Sequence, residues 1–314
     1  ITRENNVYKL EKDINWNDIN GITPSSHYIT LYDGNVFDGN NKTIECGNIS
    51  TSGFFTTDCN SKEGSSIIMN LKVVNINVNS SSGVLTRKRT KYCRIHNCFI
   101  KANNVSVYGG CLAANRAGYN GGFIEVKNCA CIIEKLDDES GGIIGIRSGE
   151  NDGTSTNTAE FIIENCYVKC NSSDGKSGGI IGAFCDGSYK INNCYTIMNI
   201  TNNNVGGMIG YGCVNNYGLM NITNSYTIMT SSSNSTYSGC GLFDHYSKNV
   251  IVSNCYAFTD LKSSNSGSMY GYSVSSFPRH FKNTFGNEGT NGSADVIELT
   301  NTTGSYKGNY QLPS

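Results

Sequence analysis

An excess of charge is what this chain lacks most clearly: 24 Lys and Arg stand against 25 Asp and Glu in 314 residues, and only 16% of residues are charged. A broad nucleic-acid footprint needs a marked surplus of Lys and Arg, so nucleic acid is excluded as the main partner. No apolar run approaches the roughly 18 residues that cross a bilayer, and the chain reads as soluble, without membrane insertion. Long helices lack support as well. Asn, Ser, Thr and Gly crowd the sequence, with 36 Gly against 3 Pro, and these residues weaken or compete with a helical backbone. Val, Ile, Tyr and Thr fit a pleated surface instead, so the expected class is all-β with many turns. The chain starts at Ile1 and not Met, from which a removed leader or a portion of a longer chain is expected; both stay open.

Cysteine is abundant, at 14 residues. No CxxC pair occurs, and none of the 4 His sits beside a Cys at zinc-like spacing, so no metal site is expected. Buried thiols acting as small hydrophobes are the first reading, and a disulfide framework the second.

An internal period organises the chain. Asn-Cys-aromatic, or a near variant, recurs at Asn97-Cys98-Phe99, Asn128-Cys129-Ala130, Asn165-Cys166-Tyr167, Asn193-Cys194-Tyr195, Asn224-Ser225-Tyr226 and Asn254-Cys255-Tyr256, in steps of 31, 37, 28, 31 and 30 residues. A glycine motif interleaves with it, as at Gly109-Gly110, Gly141-Gly142, Gly178-Gly179 and Gly206-Gly207. From Cys or Ser to the next glycine motif takes 12 to 16 residues, whereas the return takes 14 to 24. One side is fixed and the other absorbs insertions, as in stacked coils whose strands stay in register.

Within a unit the apolar residues alternate: Cys166, Val168 and Cys170, then Cys194, Thr196, Met198 and Ile200. Period 2 means strand. Cys98, Cys129, Cys166, Cys194, Ser225 and Cys255 are therefore expected to point inward as one structural ladder. Tyr167, Tyr195, Tyr226 and Tyr256 should then form an outer aromatic ladder, a candidate binding face. Asn before the Cys suits a bend, because it tolerates left-handed geometry. Gly-Gly suits another corner, where positive φ or close approach excludes a Cβ.

The expected fold is a single right-handed parallel β-helix, a solenoid of about eight to nine coils with capped ends. Residues 1–60 should supply the N-terminal cap and first coils, 61–272 the repeats, and 273–314 a C-terminal cap or extension. Val36-Phe37-Asp38-Gly39-Asn40-Asn41-Lys42-Thr43-Ile44 resembles the entry segment of GLUG-type β-helix repeat proteins, and Ser52-Gly53-Phe54-Phe55 is similar to their small-Gly-Leu-Phe strand. The Gly-Gly-Ile-Ile-Gly and Asn-Cys-Tyr units resemble repeats of this group too. The resemblance spans about residues 8–272 and implies bacterial surface adhesins or exterior proteins of giant DNA viruses. It is specific for architecture, since this fold also carries binders, fibres and polysaccharide-cleaving enzymes. Cysteine is heavier here than in that pattern, and Asp244 replaces a repeat glycine.

Chemical candidates are few. Most acids fall in variable loops, as at Asp137-Asp138-Glu139 and Glu150-Asn151-Asp152, and the 39 residues between Glu125 and Glu164 reflect the repeat and no dyad. Asp244-His245 is the most enzyme-like pair, because a His beside a carboxylate can act as acid or base near neutral pH; adjacent strand residues point to opposite faces, which favours a polar turn. Arg87, Lys88 and Arg89 form the one basic cluster, either a solvated loop or a contact for anionic glycans or an acidic neighbour. Asn41, Asn48, Asn79, Asn104, Asn171, Asn199, Asn221 and Asn301 open glycosylation triplets, frequent in so Asn-rich a chain. The reading is a noncatalytic structural or adhesive exterior protein: a fibre, spike or surface-layer subunit, self-associating or bound to a cell-surface glycan, without cofactor. A polysaccharide lyase or glycoside hydrolase on the same scaffold is the alternative.

Overall fold

The computed structural model describes residues 1–19, 27–152, 158–214, 218–231, 239–243, 249–260, 279–282 and 285–286. Thr2–Glu4 runs antiparallel to Val7–Lys9, and every later strand pairing is parallel. The chain winds into a β-solenoid of about 8 turns, whose only helix among the described residues is the single turn Trp16–Asp18.

Two strands flank each Asn corner and give the solenoid two long sheets. The leading sheet stacks Tyr92–His96, Phe123–Lys127, Glu160–Glu164, Ser188–Asn192, Met220–Thr223 and Val250–Ser253 in register. Trailing strands Phe99–Val105, Ala130–Leu136, Tyr167–Ser173, Tyr195–Ile200, Tyr226–Ser231 and Tyr256–Asp260 stack beside it. Earlier in the chain, Ser66–Val78 runs through both sheets, turning at Asn70 with φ 55°.

The third side is built from the glycine motifs. Gly83, Gly110, Gly141, Gly178 and Gly206 bridge one another in series, as do Ala113, Ile144, Ile181, Ile209 and Phe243. None of the paired motif glycines has positive φ, so close approach is what excludes a side chain. A Cβ on Gly142 would meet the Gly179 carbonyl oxygen, and one on Gly179 the Gly207 oxygen. The Gly142 and Gly179 N–H groups donate to the Gly178 and Gly206 carbonyls of the next coil, so a methyl group would force neighbouring turns apart and strain these bonds. The left-handed corners lie just outside the glycine pairs, at Tyr108 and Glu139 before them and Arg116 and Arg147 after them.

Inside, like stacks on like. Ile95, Val126, Ile163, Ile191, Ile222 and Val252 occupy one register position and are wholly buried. Each such aliphatic side chain contributes roughly 1.5–3 kcal/mol by leaving water. Phe161 and Tyr189 stack face to face at 4.3 Å, and the buried Tyr189 hydroxyl donates to the Ser148 carbonyl at 3.0 Å. All 14 cysteines are buried and none forms a disulfide, which excludes the disulfide framework in this structure.

Candidate functional surface

Each Asn corner is a left-handed residue, with φ between 49° and 55° from Asn97 to Asn254. The exposed side chains then join between coils. Nδ2 of Asn128 donates to Oδ1 of Asn97 at 3.1 Å, Asn165 to Asn128 at 3.0 Å and Asn193 to Asn165 at 2.8 Å. Asn224 diverts to Asn192 at 2.8 Å, and Asn254 returns to Asn224 at 3.2 Å. Behind the corner Cys98, Cys129, Cys166, Cys194, Ser225 and Cys255 point inward. Their Sγ or Oγ atoms donate to the carbonyl two residues back, as from Cys166 to Glu164 at 3.2 Å and Ser225 to Thr223 at 2.7 Å. Burial pushes the Cys255 thiol up to about 11, and Cys129 and Cys194 also lie well above the ordinary thiol range. Such neutral, enclosed thiols are poor nucleophiles.

In front of the corner the tyrosines face outward. Tyr167 and Tyr195 stack at 4.5 Å, and Tyr195 and Tyr226 at 5.1 Å with 12° between ring planes. Tyr226 is 40% exposed, and Tyr256 continues the register above it. Burial and the neighbouring phenols raise the Tyr167 hydroxyl above its usual value, so it stays protonated at neutral pH.

The outer leading sheet carries charges that the repeat spacing had placed apart. Glu125, Glu160 and Glu164 sit in the strands that lead into the Asn corners. Lys127 Nζ joins Glu125 at 3.0 Å and Glu164 at 3.2 Å, so the two carboxylates share one ammonium despite their 39-residue separation. His96 Nε2 meets the other Glu125 oxygen at 2.8 Å, and Lys62 pairs with Glu160 at 2.6 Å. Burial acts to raise the Glu125 carboxyl, but hydrogen bonds from Lys127 and His96 outweigh it and hold the group below the usual carboxylate range. Lys127 is in turn held above the usual lysine value, chiefly by its bond to Glu125. A general acid needs a raised carboxyl and a lysine base a lowered ammonium; this network does the opposite to both.

A cleft of about 260 Å³ opens beside the glycine side, bordered by Lys88, Arg116, Arg147, Glu139, Tyr108 and Asn115. Eight described residues other than Gly and Asn have positive φ, and five of them line it: Ser81, Tyr108, Arg116, Glu139 and Arg147. Each left-handed residue of this kind costs of order 1 kcal/mol, and such strain gathers at binding sites. Glu150 pairs with Arg116 and lies 3.9 Å from Arg147, while Lys176 holds Glu139 at 3.1 Å. No glycine or asparagine marks these corners in the sequence, which is why the cleft was missed there. The basic cluster splits: Arg87 stacks over Tyr28 at 4.2 Å, Arg89 over Tyr119 at 5.2 Å, and Lys88 alone enters the cleft.

Asn41, Asn48 and Asn171 are exposed, whereas Asn79, Asn104, Asn199 and Asn221 are half-buried. Asp244, His245 and Asn301 lie outside the described residues. Among the described residues no group of three or more His, Cys, Asp or Glu is placed to hold a metal ion, and no helix is long and apolar enough to cross a membrane.

No protein-family model matches the chain, and no curated protein matches it. A solved structure from Bacteroides ovatus, named as a proposed immunoglobulin A1 protease, aligns with a TM-score of 0.46 and 19% identity over 88% of this chain and 77% of that one. That likeness assigns no residue of this chain a role.

Proposed function

We propose that the protein is a noncatalytic exterior solenoid that adheres to carbohydrate along its side, with the tyrosine stack as the platform. The observation that carries this reading is the alignment of Tyr167, Tyr195 and Tyr226 at ring spacings of 4.5 and 5.1 Å on an outer face. Phenol rings combine a large apolar face with a polar tip, which suits a surface that must hold a sugar ring yet stay wet. Their spacing follows the strand separation of about 4.8 Å, so a run of sugar rings meets a run of phenols. The same repetition suits self-association into a fibre or spike, where coils of one copy meet those of another. A GLUG-type surface protein fits this picture. Ion pairing of Glu125, Lys127 and Glu164 argues against using that cluster for polysaccharide cleavage.

Affinity electrophoresis through gels containing neutral polysaccharides, run with an assay for new reducing or unsaturated ends, tests the reading. Retention by at least one polymer is expected, with Tyr195→Ala weakening it about fivefold, the scale of a roughly 1 kcal/mol aromatic contact. Robust cleavage would establish the enzymatic alternative, and retention indifferent to Tyr195→Ala would remove the tyrosine platform.

A further inference from the structure

The cleft beside the glycine motifs is separate from the tyrosine stack and chemically unlike it. Three cationic side chains, Lys88, Arg116 and Arg147, border it against one carboxylate, Glu139. Lys88 is exposed and has no ion-pair partner among the described residues. Arg147 is 50% exposed, and its contact with Glu150 is a loose 3.9 Å. These two cations are the ones free to turn toward a ligand. Tyr108, 40% exposed, adds an aromatic wall. Deeper in, Asn115 is 7% exposed and its buried Oδ1 has no hydrogen-bond partner, while its Nδ2 makes only a long 3.5 Å contact to Ser81. Buried acceptors are normally satisfied, and so loosely held an amide can turn to offer its oxygen to a donor in the cleft.

We propose that this cleft binds a carboxylate-bearing sugar, its acid group on Lys88 and Arg147, its ring against Tyr108 and its hydroxyls on Glu139 and Asn115. A guanidinium presents a planar fork that matches a carboxylate, and an ammonium adds a point charge. Glu139 disfavours a bare multivalent anion but accepts hydrogen bonds from hydroxyls, so the lining asks for both groups in one ligand. The volume lies below the roughly 300–1,000 Å³ of pockets that enclose drug-sized molecules, which suits a single ring. The strained corners agree. Elsewhere the chain turns most of its left-handed corners with Asn or Gly, whereas here it keeps Ser, Tyr, Arg and Glu, residues that line the cleft. The inference extends the carbohydrate reading to a second place, and its charge dependence separates the two: binding on phenol rings survives esterification, and binding here does not.

The test is titration calorimetry of the full chain with an oligogalacturonate and with a sialylated trisaccharide, each beside its methyl ester, at fixed ionic strength. The two acids distinguish a uronate from a sialate source. At least one should bind tenfold or more tightly than its ester, and Lys88→Gln and Arg147→Asn should each weaken it about tenfold. Arg147→Asn should leave Tm unchanged or raised, because Asn accepts the left-handed backbone more readily than Arg; a merely structural Arg147 would lower Tm. Equal affinity for acid and ester, failure of both acids to bind, or full displacement by sulfate at the same ionic strength would overturn the proposal.

Discussion

At the scale of single residues, the Asn corner does two jobs, and only one was legible. That Asn165 could take a left-handed turn follows from its short amide side chain. That its amide would also join Asn128 and Asn193 could not be read locally, because those partners are 37 and 28 residues away. Asn165→Ala loses both bonds and the short amide that makes the left-handed backbone tolerable, for an expected loss of about 2 kcal/mol. Asn165→Gly restores the backbone freedom and should recover about half of it. Urea denaturation of the two variants separates the terms, and equal losses would mean that the amide chain contributes nothing. The inward Cys was legible from period 2, since Cys166, Val168 and Cys170 alternate with outward residues. The left-handed backbones at Tyr108, Glu139, Arg116 and Arg147 were not, because those residue types carry no such signal.

At the scale of the coil, the fixed interval from Cys to glycine reflects a continuous path of paired backbone. Tyr167–Ser173 leads from the Asn corner toward Gly178, whose N–H donates to Ser140 of the preceding coil at 3.0 Å. An insertion here would shift register and turn buried side chains outward. The glycine pair was legible as a special position but not its cause. Sequence left positive φ and close approach open, and inter-coil contact decides for the latter. Gly179→Ala illustrates the consequence. The added methyl would press on the Gly207 carbonyl and the buried Thr196 side chain, backbone and core at once. A loss of about 3 kcal/mol or more is expected, the range of overpacking with a broken inter-coil bond. Chemical denaturation measures it, and a loss under 1 kcal/mol would mean the turns separate easily. The charge network on the leading sheet belongs to this scale too. Lys127 lies directly above Glu164 in register, a pairing visible only once the 37-residue step between these coils is aligned strand on strand.

At the scale of the whole molecule, the solenoid encloses thiols along almost its full described length, from Cys46 to Cys255. Stacking makes this collective, since each coil closes the floor of the next and no thiol reaches water without separating two turns. Burial raises Cys46 and Cys170 to about 12 and Cys255 to about 11. Burial likewise pushes Cys93, Cys129, Cys131 and Cys213 up, while the neighbouring Cys129 chiefly raises Cys166, and Cys166 in turn chiefly raises Cys194. In the unfolded chain all of them would ionise near 8.5. A raised folded value means that the native state holds protons which the unfolded state releases. The contribution is therefore complete below about pH 8.5 and is lost as pH climbs toward the folded values. Each fully buried thiol removes up to roughly 1.4 kcal/mol per pH unit in that window, so several together make the decline steep. Tm should be nearly level from pH 6 to 8 and fall sharply between pH 9 and 10, below the midpoint of about 10.4 at which an ordinary lysine titrates. Replacing Cys194 with Ser, the residue that already occupies this register as Ser225, should soften the fall while leaving the neutral-pH Tm close to that of the native chain. A Tm that stays level to pH 10 would mean that the thiols are not held as buried neutral groups, and with it would go the stacked interior on which every surface ladder depends.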